Sequence, residues 1–132
     1  MQIVQARHAV ASQCVLGETP LWDPHLRAFV WVDIRLPAVH RWTPSTGAHE
    51  VVPGRGLTGG IVMTRAPGVY VTASSAGIGR FTFEDGFAAP LVHPIADAPD
   101  HRYNEIKCDP AGNIWVGTMQ DRKSTRLNSS HT

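Results

Sequence analysis

The amino-acid sequence predicts an all-β fold made of repeated units, and three observations support this. Short apolar runs rich in Val, Ile, Trp, Tyr and Phe alternate with Gly, Pro, Asp and Ser clusters, as strands alternate with turns. Pro24, Pro67 and Pro110 lie 43 residues apart, each in a turn before an aromatic-centred strand. No window keeps helical spacing for long, because Gly and Pro interrupt it.

A second repeat, at an offset of 39 residues, agrees with the first. Arg41-Trp42-Thr43 is followed by Gly47, and Arg80-Phe81-Thr82 is followed by Gly86. Each glycine suits a tight turn between two outer strands, where a positive φ is needed. The strands are predicted at Phe29–Ile34, Ala38–Thr43, His49–Val52, Gly60–Thr64, Val69–Thr72, Gly79–Phe83, Ala89–His93, Glu105–Cys108 and Ile114–Thr118.

A period near 40 residues with four short strands per unit is typical of a β-propeller blade. Residues 1–120 then form a partial propeller of about two and a half blades at roughly 43 residues per blade. Such an arc leaves an apolar blade face uncovered, and Trp22, Trp31 and Trp115 are expected to lose part of their packing. The alternative is a β-sandwich whose turns happen to share this spacing.

The final residues, Asp121–Thr132, do not follow this pattern. Their first eleven residues, DRKSTRLNSSH, resemble the translation of one reading frame of a common sequencing-library adapter, and each residue agrees with its codon. We therefore predict that residues 121–132 are a non-native, adapter-derived tail that is not part of the fold.

The charge balance argues against nucleic acid or an anionic membrane as the main partner. The whole chain has 12 basic and 11 acidic residues, and residues 1–120 have 9 and 10. No Lys/Arg cluster is present, and no apolar run approaches the ~18–20 residues of a spanning helix. The N-terminus lacks the features of a signal peptide, so a cytoplasmic location is expected. Cys14 and Cys108 show no metal-type spacing and are expected to pack as small apolar residues.

Two segments carry a family resemblance. Gly17 to Ile34 reads GETPLWDPHLRAFVWVDI, and Arg102 to Met119 reads RYNEIKCDPAGNIWVGTM. Together they resemble the senescence-marker-protein-30, gluconolactonase and regucalcin family of metal-dependent sugar lactonases. The resemblance implies a six-bladed propeller. A complete ring needs roughly 260 residues at this repeat length, so we expect this chain to be an N-terminal fragment.

The first segment implies that Glu18, placed at the entrance to the first inner strand, is a metal ligand. Without the motif, a Glu before a strand is more often a solvated loop residue. The second segment implies that Arg102 and Asn104 contact substrate. Residues two apart on an extended segment share a face, so both can enter one cavity while Tyr103 points away. The alternative is an Arg at a blade rim and an Asn in a turn.

Other polar residues carry less information. Many relatives have Asp-Gly after the Asn, whereas Glu105-Ile106 follows here, so the loop shape and substrate preference are open. Asp23 and Asp109 precede prolines and are predicted to cap turn amides, and Asp33 is predicted to be structural. His101 is a weak candidate because it adjoins Arg102. The predicted role of the remaining glycines is flexibility at the crossing into the second blade, at Gly54, Gly56, Gly59 and Gly60.

The resemblance implies hydrolysis of a small-molecule sugar lactone with one divalent ion, Ca²⁺ or Zn²⁺, with Mg²⁺ or Mn²⁺ as alternatives. The family completes the metal shell with an Asn and an Asp from later blades, and that Asp is also the expected general base. No catalytic residue is therefore assigned here, and the chain alone is expected to be inactive. The competing interpretations are a non-catalytic metal-binding propeller acting as a regulatory or interaction module, and a hydrolase for another small molecule. The oligomeric state is left open.

Overall fold

The computed structural model of the chain describes residues 1–121 as an all-β structure. Its ten strands are β1 (Gly17–Asp23), β2 (Ala28–Asp33), β3 (Ala38–Thr43), β4 (Ala48–Pro53), β5 (Thr58–Met63), β6 (Tyr70–Ser74), β7 (Gly77–Thr82), β8 (Gly86–Val92), β9 (His101–Cys108) and β10 (Ile114–Gln120). All nine predicted strands are present, although several bounds differ by a few residues.

The strands form three antiparallel sheets in which sequence neighbours pair. The first sheet has the order β1-β2-β3-β4, the second β5-β6-β7-β8, and the third pairs β9 with β10. Each four-stranded meander is one propeller blade. The described part of the chain is therefore a partial propeller of two complete blades and the first two strands of a third, which confirms the predicted fold class.

The turns confirm both repeats. Pro24, Pro67 and Pro110 all lie between the first and second strands of their blades. Gly47 lies between the third and fourth strands of its blade, and Gly86 is the first residue of the fourth strand of the next, with φ of 75° and 73°. These turns need the left-handed conformation that glycine adopts without strain.

Strand β1 is missing from the predicted strands because its sequence is interrupted. Pro20 lies inside it, and the pairing of β1 with β2 shifts between Glu18 and Leu21. A proline lacks the amide of a central strand, but an edge strand with a bulge accommodates it. The edge position of β1 therefore permits a strand where local sequence indicates a break.

Apolar side chains fill the spaces between successive blades. Val30 and Val32 of β2 are fully buried and pack with Ile61, Tyr70 and Phe81 of the second blade. A second cluster joins the second blade to β9 and comprises Val62, Ala73, Ile78, Tyr103 and Ile106. The second blade therefore packs against both of its sequence neighbours, as is typical of repeat folds.

The predicted flexible role is wrong for two of the glycines. Gly59 and Gly60 lie buried inside β5. A Cβ on Gly59 would lie 2.3 Å from the Tyr103 carbonyl oxygen, and one on Gly60 would lie 2.6 Å from Cγ2 of Ile106. These glycines allow β9 to approach β5 closely, so they serve packing.

Apolar groups stay exposed at both ends of the arc. On the first blade Trp22 is 40% exposed, and on β10 Trp115 is 68% exposed. Trp31 is half-buried. Asp121, the first residue of the predicted tail, pairs with Arg35 at 2.9 Å and so packs on the body. The rest of that tail lies outside the described residues.

Candidate functional site

The three inner strands of the blades, β1, β5 and β9, lie side by side, and β5 contacts the other two. Gly60 of β5 lies close to both of the other strands. A Cβ at this position would lie 3.3 Å from Oγ1 of Thr19 on β1 and 2.6 Å from Ile106 on β9. Glu18 adjoins Thr19 in sequence, and Asn104 lies two residues before Ile106, so the fold places Glu18 and Asn104 on strands that flank β5.

Each inner strand has a break in pairing register beside a polar residue. The breaks follow Glu18 on β1, Thr58 on β5 and Asn104 on β9. Thr19 and Glu105 at these breaks have φ of 55° and 68°. Bulges of this kind redirect side chains and are common near functional sites. Glu18 and Asn104 therefore occupy corresponding places in their blades, which the sequence repeat alone did not show.

The Glu18 carboxylate has no partner among residues 1–121. Glu18 is half-buried, pairs through its backbone with Val32, and makes no side-chain hydrogen bond or ion pair with residues 1–121. It borders a groove of about 350 Å³ lined largely by apolar and aromatic side chains, among them Phe29, Trp31 and Trp42. A free carboxylate beside an apolar wall is available to a cation.

Arg102 and Asn104 lie together on β9. Arg102 is only 6% exposed, and its Nη1 is 3.5 Å from Oδ1 of Asn104, a long contact. Nη1 also donates to the Tyr103 carbonyl oxygen at 3.2 Å, while the buried Nε of Arg102 has no hydrogen-bond partner in the described residues. The side chain of Tyr103 packs into the second core cluster instead. A buried guanidinium with an unpaired N–H costs free energy unless another group accepts it.

The structure explains how Glu105-Ile106 fits here. Glu105 is the exposed bulge residue with a left-handed φ of 68°. Ile106 is 1% exposed and packs where Gly60 leaves space. A residue lacking this side chain would leave a cavity between β5 and β9, so Ile106 and Gly60 form a matched pair.

The two aspartates predicted to cap turn amides do so. Asp23 and Asp109 accept backbone amides of their own turns, from His25 and Ala111 among others. Asp23 also accepts a hydrogen bond from the buried hydroxyl of Tyr70, which joins the first two blades. Burial, followed by this carboxylate, raises the pKa of Tyr70 well above its usual value. His101 is exposed and pairs with Asp100.

The predicted packing of the two cysteines is wrong. Cys108 is exposed, and Cys14 lies half-buried among polar groups. The Sγ of Cys14 is 3.6 Å from Nε2 of His40 and accepts a hydrogen bond from Trp31 Nε1 at 3.4 Å. Possible ligand atoms of Cys14, Asp33 and His40 all lie within 4.8 Å of one another. The segment preceding β1 folds back onto β2 and β3, and linear spacing gives no sign of this.

His40 lies in surroundings that disfavour its charged form. It is 5% exposed, stacks on Trp31, and contacts Nε2 of His49 through its Nδ1 at 2.9 Å. Burial, followed by the neighbouring His49, lowers the pKa of His40, against a smaller opposing effect of Asp33. The neutral imidazole favoured by this setting is the form that binds metals.

Comparison with known protein families identifies the family of this chain. Residues 16–130 match the family described as the SMP-30/Gluconolactonase/LRE-like region. The chain belongs to that family. The expected resemblance is thereby confirmed.

Sequence relatives in this family include an enzyme named as a lactonase. Pentonolactonase XacC of Haloferax volcanii is 34% identical over 110 residues, which cover 83% of this chain and 36% of that protein. Regucalcin of Xenopus laevis is 29% identical over 119 residues, which cover 90% of this chain and 40% of that protein. The chain therefore spans about two fifths of the length of these curated relatives.

Solved structures of the family confirm the fold. A luciferin-regenerating enzyme superposes with a TM-score of 0.70 and 28% identity, covering 81% of this chain and 37% of that one. A regucalcin from Agrobacterium tumefaciens, described as calcium-binding, superposes with a TM-score of 0.76 and 23% identity. The match covers 83% of this chain and 37% of that one. No helix in the described residues is long and apolar enough to cross a membrane.

Proposed function

We propose that the complete protein hydrolyses sugar lactones with the help of a divalent metal ion, and that this chain supplies part of the site. One observation carries the proposal: the Glu18 carboxylate, which has no partner within residues 1–121, and the buried Arg102 with the half-buried Asn104 lie on inner strands that flank β5. The lactonase activity named for the Haloferax volcanii relative supports the reaction class. Because this chain spans two fifths of such relatives, we expect it to be inactive alone.

Glu18 would hold the metal. Its carboxylate makes no competing bond within residues 1–121, and oxygen ligands suit Ca²⁺, Mg²⁺ and Mn²⁺ and are also found on Zn²⁺. When bound, such an ion polarises a carbonyl group and lowers the pKa of a bound water. A single carboxylate is too few ligands for a hard cation, so the remaining ligands must come from elsewhere in the complete protein.

Arg102 and Asn104 would orient the lactone. The Nε–H of Arg102 has no acceptor in the described residues, and a sugar hydroxyl or the lactone carbonyl could accept from it. The Asn104 amide offers a donor and an acceptor for a second hydroxyl. Fixed donors of this kind hold a flexible polyhydroxylated substrate in one pose.

The general base is proposed to be a carboxylate in a later blade. Two described aspartates of the first blade accept backbone amides: Asp23 caps its own turn, and Asp33 accepts four amides. If such a base is missing, the alternative of a non-catalytic metal-binding propeller applies.

Aldonolactone hydrolysis by the complete protein, with and without added metal, tests the proposal. Arg102→Ala should lower kcat/KM by an amount equivalent to about 2–4 kcal/mol, while metal affinity stays near normal. Lys107→Ala, an exposed cation on the same strand, is the matched control and should leave the rate unchanged. Metal binding without any lactone hydrolysis would instead support the non-catalytic alternative.

A further inference from the structure

We propose that Cys14, Asp33 and His40 form a second metal site, selective for zinc-like ions and separate from the Glu18 site. The three residues bring one sulfur, one oxygen and one nitrogen donor within 4.8 Å of one another on the first blade. Glu18 is not part of this cluster. Metal binding at these three residues does not require lactonase activity.

The sulfur–nitrogen separation fits a tetrahedral ion. Sγ of Cys14 and Nε2 of His40 are 3.6 Å apart. With zinc–sulfur and zinc–nitrogen bonds of about 2.3 and 2.0–2.1 Å, a tetrahedral zinc ion separates these two ligand atoms by about 3.5 Å. The pair therefore needs almost no rearrangement to bind the ion.

Asp33 can provide the third ligand because its two carboxylate oxygens accept different numbers of hydrogen bonds. Oδ1 accepts three backbone amides, from Leu16, Arg35 and Leu36, whereas Oδ2 accepts only that of Val15 at 2.8 Å. Oδ2 keeps a lone pair for a metal. By holding the amides of residues 15 and 16, the same carboxylate also fixes the backbone next to Cys14.

Hydrogen bonds from neighbouring side chains orient the proposed ligands. Nδ1 of His40 lies 2.9 Å from Nε2 of His49. A proton on Nδ1 of His40, donated to His49, leaves Nε2 of His40 free to bind the ion. Trp31 Nε1 donates to the Cys14 sulfur at 3.4 Å and so holds it beside His40. Cys14 is half-buried, so a water molecule can occupy the fourth position of the tetrahedron.

The chemistry of the donors selects the ion. A thiolate and an imidazole bind zinc and related transition metals, whereas calcium and magnesium prefer oxygen ligands. Cobalt(II) is a suitable probe because it occupies zinc sites and gives a thiolate-to-metal absorption band. Cys108, exposed on another blade, is the matched control cysteine.

Two measurements on the full chain, kept reduced with a non-thiol reductant, test the site. Cobalt(II) should give the thiolate band at one equivalent in the wild type and in Cys108→Ser. Cys14→Ser should abolish it, and His40→Gln should weaken cobalt binding by about tenfold or more. No band in the wild type, or a band that survives Cys14→Ser, would overturn the proposal.

Thiol alkylation gives a readout that needs no variant. One equivalent of zinc should slow modification of Cys14 by about tenfold or more, with Cys108 unaffected and calcium ineffective. Peptide mass mapping assigns the rate to each cysteine. Equal alkylation of Cys14 with and without zinc would contradict the site, and protection of both cysteines would show adventitious binding.

Discussion

At the scale of single residues, Asp33 accepts hydrogen bonds from four backbone amides within residues 1–121. Burial tends to raise the pKa of Asp33, but the amides of Leu36, Leu16, Val15 and Arg35 outweigh it, and the net pKa is lowered. A carboxylate with a lowered folded-state pKa contributes stability above its unfolded pKa. That contribution is lost as the pH falls through the folded-state value.

We expect Asp33→Asn to lower the free energy of unfolding by about 1–3 kcal/mol at neutral pH, because an ionised acceptor is replaced by a neutral one. The difference from wild type should begin to shrink as the pH falls below about 4, where Asp33 of the unfolded chain becomes protonated, and should be lost only below the lowered folded-state pKa. Urea denaturation followed by tryptophan fluorescence measures both. Asp97→Asn, at an exposed aspartate, is the control. A difference that stays constant with pH would refute the ionic role of Asp33.

Sequence reasoning identified some of these residues and missed others for physical reasons. Glu18, Arg102 and Asn104 stand in recognisable motifs, and alternation along a strand was enough to place Arg102 beside Asn104. Their roles remain predictions. Cys14 and His40 are 26 residues apart and meet because the segment before β1 folds back. No local pattern encodes such a contact.

At the scale of elements, the glycines of β5 allow the inner strand β9 of the next blade to approach β5 closely. Composition and turn spacing predicted most strands, because apolar alternation and proline-containing turns are local signals. The bulges in β1, β5 and β9 were not predictable, since a register break depends on the partner strand. The glycines of β5 were misinterpreted for the same reason: their neighbours come from another blade.

Glycines at two positions should respond differently to substitution. Gly59→Ala and Gly59→Asn should each cost about 1–3 kcal/mol, because the new side chain meets the Tyr103 backbone. Gly47→Ala should cost about 1–2 kcal/mol through its φ of 75° alone, since open space surrounds it. Gly47→Asn should recover part of that loss, because Asn tolerates this conformation. Urea denaturation compares the four variants, and tolerance of Gly59→Ala would contradict the close contact of β5 and β9.

At the scale of the whole molecule, blade stacking leaves apolar side chains exposed on the first and last sheets. Trp22 and Phe29 are each 40% exposed on the first blade, and Trp115 is 68% exposed on β10. Exposed apolar patches of this kind bind partners or other copies of the chain. In a closed ring, neighbouring blades would cover both faces.

We expect residues 1–120 to give a β-rich circular dichroism spectrum together with strong fluorescence of a hydrophobic dye. The double variant Ile114→Ser/Trp115→Ser should reduce dye binding, whereas Leu36→Ser, a single exposed apolar residue in a turn, should change it little. Dye fluorescence and light scattering measure this. A monodisperse monomer that binds no dye would argue against uncovered blade faces.

The central claim is that Glu18 holds the metal used for lactone hydrolysis, and titration calorimetry of the complete protein tests it most directly. Glu18→Gln should weaken binding of the activating divalent ion and reduce turnover together, because an anionic ligand is lost. Glu84→Gln, at an exposed glutamate, should leave both unchanged. Unchanged metal affinity in Glu18→Gln would remove Glu18 from the metal site and contradict the proposal.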